Sequence, residues 1–199
     1  MPLLLWEGLD RWRAEAADVH VDGTTLRATG TQLGIEPVPF RLDYDLATGA
    51  GFVTRSVELT ATGHGWERRL LLRRDDAGAW HLERTQQGEV PLPEPGRVLP
   101  DLSAALDCDI EDSALTNTMP VKRHDLCREG ARDFVMAFIT VPGLDVRASA
   151  QRYEHLGDRD DGRSDVRYSS RGGDYTADLR FDSQGFVELY PGMARRVSP

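Results

Sequence analysis

The residues best equipped for chemistry crowd into one segment, between Leu106 and Asp125. Asp107, Asp109, Glu111 and Asp112 form an acidic group, and Asp107 and Asp109 share one face if the run is a strand. Carboxylates paired in this way can hold a divalent cation or exchange protons with a substrate. No Asp-x-Asp-x-Asp-Gly loop follows and no histidine stands at a helical ligand spacing, so the expectation is a solvated strand face and no metal. His124, between Arg123 and Asp125, has the chemistry of a general base. The chain offers it no nucleophile, because there is no Gly-x-Ser-x-Gly elbow and no phosphate-binding loop. An enzyme using His124 with Asp107, Asp109 or Asp125 is therefore the second reading of function, and a structural or protein-interaction module is the third. His64 lies between two glycines in a turn, while His20, His81 and His155 sit on strands whose alternate residues are apolar and so face outward.

The run from Thr116 to Arg123 (Thr-Asn-Thr-Met-Pro-Val-Lys-Arg) is too polar for a plain core strand. Two accounts of it stand side by side. Asn and Thr side chains can bond neighbouring backbone groups and fix an irregular strand entry, with Pro120 setting a bend. Alternatively, Asn117 and Arg123 reach into a cavity mouth, where the planar guanidinium fork suits a carboxylate, a phosphate or vicinal hydroxyls.

The elements that must position these groups are strands. Val38, Phe40, Leu42, Tyr44 and Leu46 alternate with polar residues, as do Val57 and Leu59 with Ser56, Glu58 and Thr60, and Leu70 and Leu72 with their neighbours. Asp22-Gly23 and Asp75-Asp76-Ala77-Gly78 read as hairpin turns, and Asp182-Ser183-Gln184-Gly185 as the last of them. The segment 134–141 is almost continuously apolar and reads as a strand buried on both faces. Residues 9–17 are ambiguous, because Leu5, Leu9, Trp12 and Ala16 also fit a helical stripe. Pro91, Pro93, Pro95 and Pro100 exclude a central strand and mark a loop. The expected architecture is all-β: an antiparallel barrel or roll of two related β-meander halves, with little helix, in a single domain over 1–199. The halves run over about 1–90 and 102–199, joined by the Pro-rich loop 91–100.

Composition narrows the partners. A net charge of -9 argues against nucleic acid, which requires a clustered basic surface. No stretch approaches the ~18 apolar residues of a membrane-spanning helix, and the first residues lack a basic leader, so a cytoplasmic location is expected. Cys108 and Cys127 have no CxxC partners and are expected to be reduced thiols; no cofactor is expected.

In order along the chain, several motifs resemble those of a family of bacterial proteins described as putative glycolipid-binding. They are Trp6-Glu7-Gly8, Thr54-Arg55-Ser56-Val57, Asp76 to Trp80, Leu106 to Ile110 with Thr116 to Arg123, Gln151-Arg152-Tyr153, and Asp182 with Gly185-Phe186-Val187 and Tyr190-Pro191-Gly192. The resemblance implies an extensive antiparallel β structure similar to lipoprotein carriers that hold acyl chains, and no catalytic residues. It implies an amphipathic small-molecule partner, a glycolipid or fatty-acyl compound, bound in an apolar β-lined cavity. By matching positions, Arg55, Asn117, Arg123, Gln151, Tyr153 and Tyr190 are the expected cavity or rim residues.

Overall fold

The structure is a computed structural model that describes residues 3–96, 98–170 and 175–197. Fourteen strands make one sheet: β1 (Leu3–Gly8), β2 (Arg13–Asp22), β3 (Thr25–Gly34), β4 (Phe40–Thr48), β5 (Thr54–Gly63), β6 (Trp66–Arg74), β7 (Trp80–Gly88), β8 (Ala105–Ile110), β9 (Ala131–Ile139), β10 (Val146–Asp158), β11 (Ser164–Ser170), β12 (Thr176–Phe181), β13 (Val187–Tyr190) and β14 (Ala194–Arg196). The order is β7 back to β1, then β14 back to β8, so the seam joins the first strand to the last. All pairings are antiparallel except β8 with β9, which run parallel because the helical segment between them carries the chain back across.

The all-β roll expected from alternation is therefore present, but the sheet does not close into a barrel among the described residues: β7 and β8 are its two edges. Its curl still brings those edges together. Trp80 Nε1 on β7 donates to Ala105 O on β8 at 3.1 Å, and Cys108 N donates to Thr54 Oγ1 at 3.1 Å. Side-chain bonds of this kind cover edges that would otherwise present unpaired backbone groups.

The ambiguous segment 9–17 is strand and turn. Leu5 and Ala16 share a stripe because they pair across the β1–β2 hairpin, and Leu9 and Trp12 flank its turn. The Pro-rich loop is tied down by one buried cation. Arg68 donates to the carbonyls of Pro93 at 2.9 Å, Leu92 at 3.3 Å and Gly143 at 3.1 Å, and to Gln86 Oε1 at 2.9 Å. The loop carbonyls that proline leaves without ladder partners are thereby satisfied.

The Thr116 to Arg123 run is not a strand entry. It forms a 3₁₀ turn, Leu115–Asn117, continuing into α1 (Thr118–Arg123). Pro120 is tolerated because first-turn N–H groups have no intrahelical partner, and Lys122 and Arg123 sit favourably in the last turn. Leu115, Met119 and Val121 are buried, and α1 packs across one face of the sheet. Met119 Sδ lies 3.9 Å from Thr54 Oγ1 of β5, and Lys122 Nζ sits over the rings of Phe52 (5.9 Å) and Phe186 (5.2 Å). The space enclosed by the curl is thus packed with core side chains, including Leu42, Leu59, Leu72, Ile110, Tyr153 and Phe181. No described helix is long and apolar enough to cross a membrane.

Candidate functional site

The seam side of the curl carries two adjoining depressions. The first is a polar cleft of about 290 Å³ with Asp109, Asn117, Tyr168, Tyr175 and Tyr190 on its walls. The second is a narrow groove with about 20 Å³ of free space, lined by Trp6, Trp12, Ile35 and Phe40. Arg13 and Asp112 belong to both and stand at the boundary.

Strand register assembles the cleft. Tyr153 on β10 pairs directly with Tyr168 on β11, Tyr175 enters β12 beside it, and Tyr190 ends β13. Their rings make a continuous series. Tyr153 to Tyr168 is 5.3 Å between centroids, Tyr168 to Tyr190 is 6.0 Å, Tyr168 to Tyr175 is 6.1 Å and Tyr175 to Tyr190 is 6.3 Å. Tilted aromatic pairs at such separations are individually favourable. Phe134 and His124 extend the series on the far side, at 5.8 Å from Tyr153 and 5.5 Å from Phe134 respectively.

Below the rings lies a hydrogen-bond network built around Asp109. Gln151 Nε2 donates to Asp109 Oδ2 at 2.7 Å and Thr116 Oγ1 to Asp109 Oδ1 at 2.8 Å. Tyr153 OH donates to Asn117 Oδ1 at 2.8 Å, and Asn117 Nδ2 donates to Ser113 O at 3.2 Å. The polar residues of the Thr116 to Arg123 run therefore find partners far away in sequence, which is what lets them be buried. Enclosure by protein pushes the Asp109 carboxyl above the ordinary carboxylate range, against the pull of its Gln151 and Thr116 bonds. The same desolvation raises Tyr153, Tyr168 and Tyr190, so their hydroxyls remain hydrogen-bond donors at all ordinary pH values.

The groove is shaped by missing side chains. A Cβ on Gly34 would stand 2.4 Å from Phe40 Cε1, so only glycine lets that ring lie flat against β3. Trp12 is 59% exposed and Ile35 48%, so the groove rim presents large apolar surface to solvent. Between groove and cleft, Arg13 pairs with Asp10 at 2.8 Å and Asp112 at 2.6 Å and donates to Met193 O at 2.7 Å.

Four of the six expected rim residues converge here. Asn117 and Tyr190 face the cleft, while Gln151 and Tyr153 stand behind them and orient Asp109 and Asn117. The other two lie elsewhere. Arg55 is exposed and 3.5 Å from Asp76, and Arg123 spends its guanidinium on Asp107 and on the carbonyls of Gly51 (2.7 Å) and Phe52 (3.1 Å). The expected solvated strand face is corrected as well: Asp107 is buried and Asp109 is walled in. His124 is exposed and has no ion-pair partner among the described residues. Cys108 and Cys127 are free, with burial pushing their thiols up to about 12 and about 11. Tyr168, Tyr175, Arg13 and Trp12 escaped the sequence reading because their convergence depends on the β1–β14 seam and the β11–β12–β13 register.

A family profile described as putative glycolipid-binding matches residues 3–196. A crystal structure of a DUF1089 family protein from Pseudomonas aeruginosa is similar at 25% identity and a TM-score of 0.69, over 92% of this chain and 92% of that one. No curated protein matches.

Proposed function

This chain belongs to the family described as putative glycolipid-binding, and from that premise we propose that it holds an amphipathic ligand non-covalently across the two depressions. The polar headgroup sits in the tyrosine cleft, and the apolar portion lies along the Trp12–Ile35–Phe40 groove. The observation that carries this reading is the adjacency of the two, sharing Arg13 and Asp112 as a common wall. An amphipathic molecule requires that arrangement: apolar contact for affinity beside convergent polar groups for orientation. Asn117 and Asp109 meet headgroup hydroxyls, Tyr175 offers a stacking face backed by Tyr190, and Gln151 and Tyr153 hold those groups in place. The interior of the curl is packed with core side chains, which favours the surface groove over an internal tunnel as the seat of an acyl or alkyl chain.

The test is a calorimetric titration with alkyl glucosides of increasing chain length. Each methylene removed from water contributes up to roughly 0.8 kcal/mol, so affinity should climb by up to about fourfold per CH₂ until the groove is filled. Affinity independent of chain length, or no binding at all, overturns the proposal.

A further inference from the structure

We propose that Lys122 forms a reversible imine with a small hydroxyaldehyde, in a pocket separate from the cleft and the groove. This pocket, of about 600 Å³, opens between the end of α1 and the β10–β11 and β12–β13 turns. Lys122, Asp125, Cys127, Arg128, Asp160 and Ser183 stand on its walls, and none of its residues borders the other two depressions.

Residue type is the first argument. Lys122 is the only lysine among the 24 lysines and arginines of the chain. A guanidinium does not give up its proton, whereas an ammonium does so once water is withdrawn from it. The one basic side chain able to become a nucleophilic amine therefore lines a pocket.

Placement is the second. Lys122 Nζ lies 5.2 Å from the ring centre of Phe186 and 5.9 Å from that of Phe52, and both rings are buried. Gly185, at φ 77°, lets the lysine stem lie against the turn, because a Cβ there would stand 3.3 Å from Lys122 Cγ and Nζ. Nζ donates to Gln184 O, which fixes its direction and, in the neutral amine, leaves the lone pair free.

Charge is the third. No carboxylate among the described residues stands within ion-pair distance of Nζ. Its acidic neighbours are engaged elsewhere, Asp182 with Arg196 at 2.6 Å and Asp125 with Arg128 at 3.5 Å. Burial outweighs the more distant pull of Cys127 and Asp182 and moves the amine below the ordinary lysine range. Burial also pushes the Cys127 thiol up to about 11, so it stays protonated at neutral pH and the amine is the nucleophile of the pocket.

In the reaction the Nζ lone pair attacks the aldehyde carbon, a C–N bond forms and the carbonyl π pair moves to oxygen. The oxygen leaves as water with both amine protons, so no oxidant or reductant is needed and water reverses the step. Arg128, Asp160 and Ser183 are exposed around the amine, and a hydroxyl next to the carbonyl meets hydrogen-bonding groups there. An alkyl chain finds little apolar wall beyond Phe52 and Val121.

The probe is glycolaldehyde with sodium cyanoborohydride, which reduces the imine to a stable secondary amine. The reading is the rate of Lys122 modification, followed by peptide mass spectrometry on the full chain at neutral pH. It is measured folded in buffer and unfolded in guanidinium chloride, each corrected by Nα-acetyllysine in the same solution. Burial ordinarily protects a lysine; here the folded chain should react about tenfold faster than the unfolded one. With hexanal in place of glycolaldehyde the folded-to-unfolded ratio should be smaller. Lys122→Arg should lose the adduct while keeping its melting temperature and its binding of alkyl glucosides. Modification of Lys122 no faster in the folded chain than in the unfolded one overturns the imine site, and equal ratios for the two aldehydes overturn the hydroxyaldehyde class.

Discussion

Replacing Arg123 by methionine should be among the most damaging substitutions in the chain, although Arg123 lies outside the proposed site. Its guanidinium donates to both carboxylate oxygens of Asp107 and to Gly51 O and Phe52 O, anchoring the end of α1 to β8 and to the 3₁₀ turn before β5. Asp107 is 1% exposed. Methionine fills much of the volume but strands a buried carboxylate and two carbonyls. Breaking a buried ion pair from one side costs about 3–5 kcal/mol, and the partly buried carbonyls add about 1 kcal/mol in total once water reaches them. The expected loss is about 4–6 kcal/mol, against a total stability of about 5–15 kcal/mol for a domain. Urea unfolding at constant m-value measures it. Burial already pushes the Asp107 carboxyl up, and Arg123 restrains that push. Without Arg123 the folded carboxyl holds its proton to still higher pH, while the unfolded one titrates near 4. The folded state then gains stability from protonation at low pH and loses it as pH rises, so the defect should be smaller at pH 5 than at pH 8. The double variant Arg123→Met, Asp107→Leu should recover most of the loss because no lone charge remains. A single-variant loss below about 1.5 kcal/mol, or a double variant as unstable as the sum of the two singles, would refute the reasoning.

Three further outcomes are expected. The Asp109 carboxyl is raised by enclosure, so its contribution to stability is full below pH ~4 and fades as pH rises through its folded value. Asp109→Asn should therefore flatten the fall of melting temperature above pH ~4, and a wild-type-to-variant difference constant from pH ~4 to ~8 counts against the enclosure. Trp12→Ser removes an exposed groove wall, so alkyl-glucoside affinity should drop by about tenfold with the melting temperature unchanged, both read in one calorimetric series. Gly30→Ala places a Cβ 2.2 Å from Tyr44 Cζ and 2.7 Å from Ala16 O, where Tyr44 crosses β3 to donate to Glu15. It should cost about 1–3 kcal/mol in chemical denaturation, and a neutral result would mean that Tyr44 readily moves aside.

The strands were legible because period-2 alternation is written locally: Leu42, Tyr44 and Leu46 are all buried on one face of β4, as their spacing requires. Turn chemistry was equally direct at Asp22-Gly23, where Gly23 adopts φ 55° between paired Asp22 and Thr25. The segment 134–141 was only partly readable. Met136, Ala137 and Ile139 are buried, but Phe134 and Val135 are half-exposed: Phe134 lies before the parallel pairing with β8 begins, and Val135 is its first paired residue. The Thr116 to Arg123 helix could not be read from spacing, since six residues give too little periodicity and its polar groups are satisfied by Asp109 and Tyr153 from other strands. Asn117, Gln151, Tyr153 and Tyr190 were reachable through their motif neighbours. The tyrosine corner was not, because it exists only once β11, β12 and β13 pair, and the Arg13 wall meets it only once β1 pairs with β14.

The central claim, an amphipathic ligand straddling cleft and groove, is tested most directly by a crystal structure with octyl glucoside. The account predicts the sugar ring against Tyr168, Tyr175 and Tyr190, within hydrogen-bond reach of Asp109 or Asn117, and the alkyl chain running past Arg13 along Trp12 and Ile35. Density for the ligand between α1 and the sheet, or at sites remote from both depressions, would contradict it.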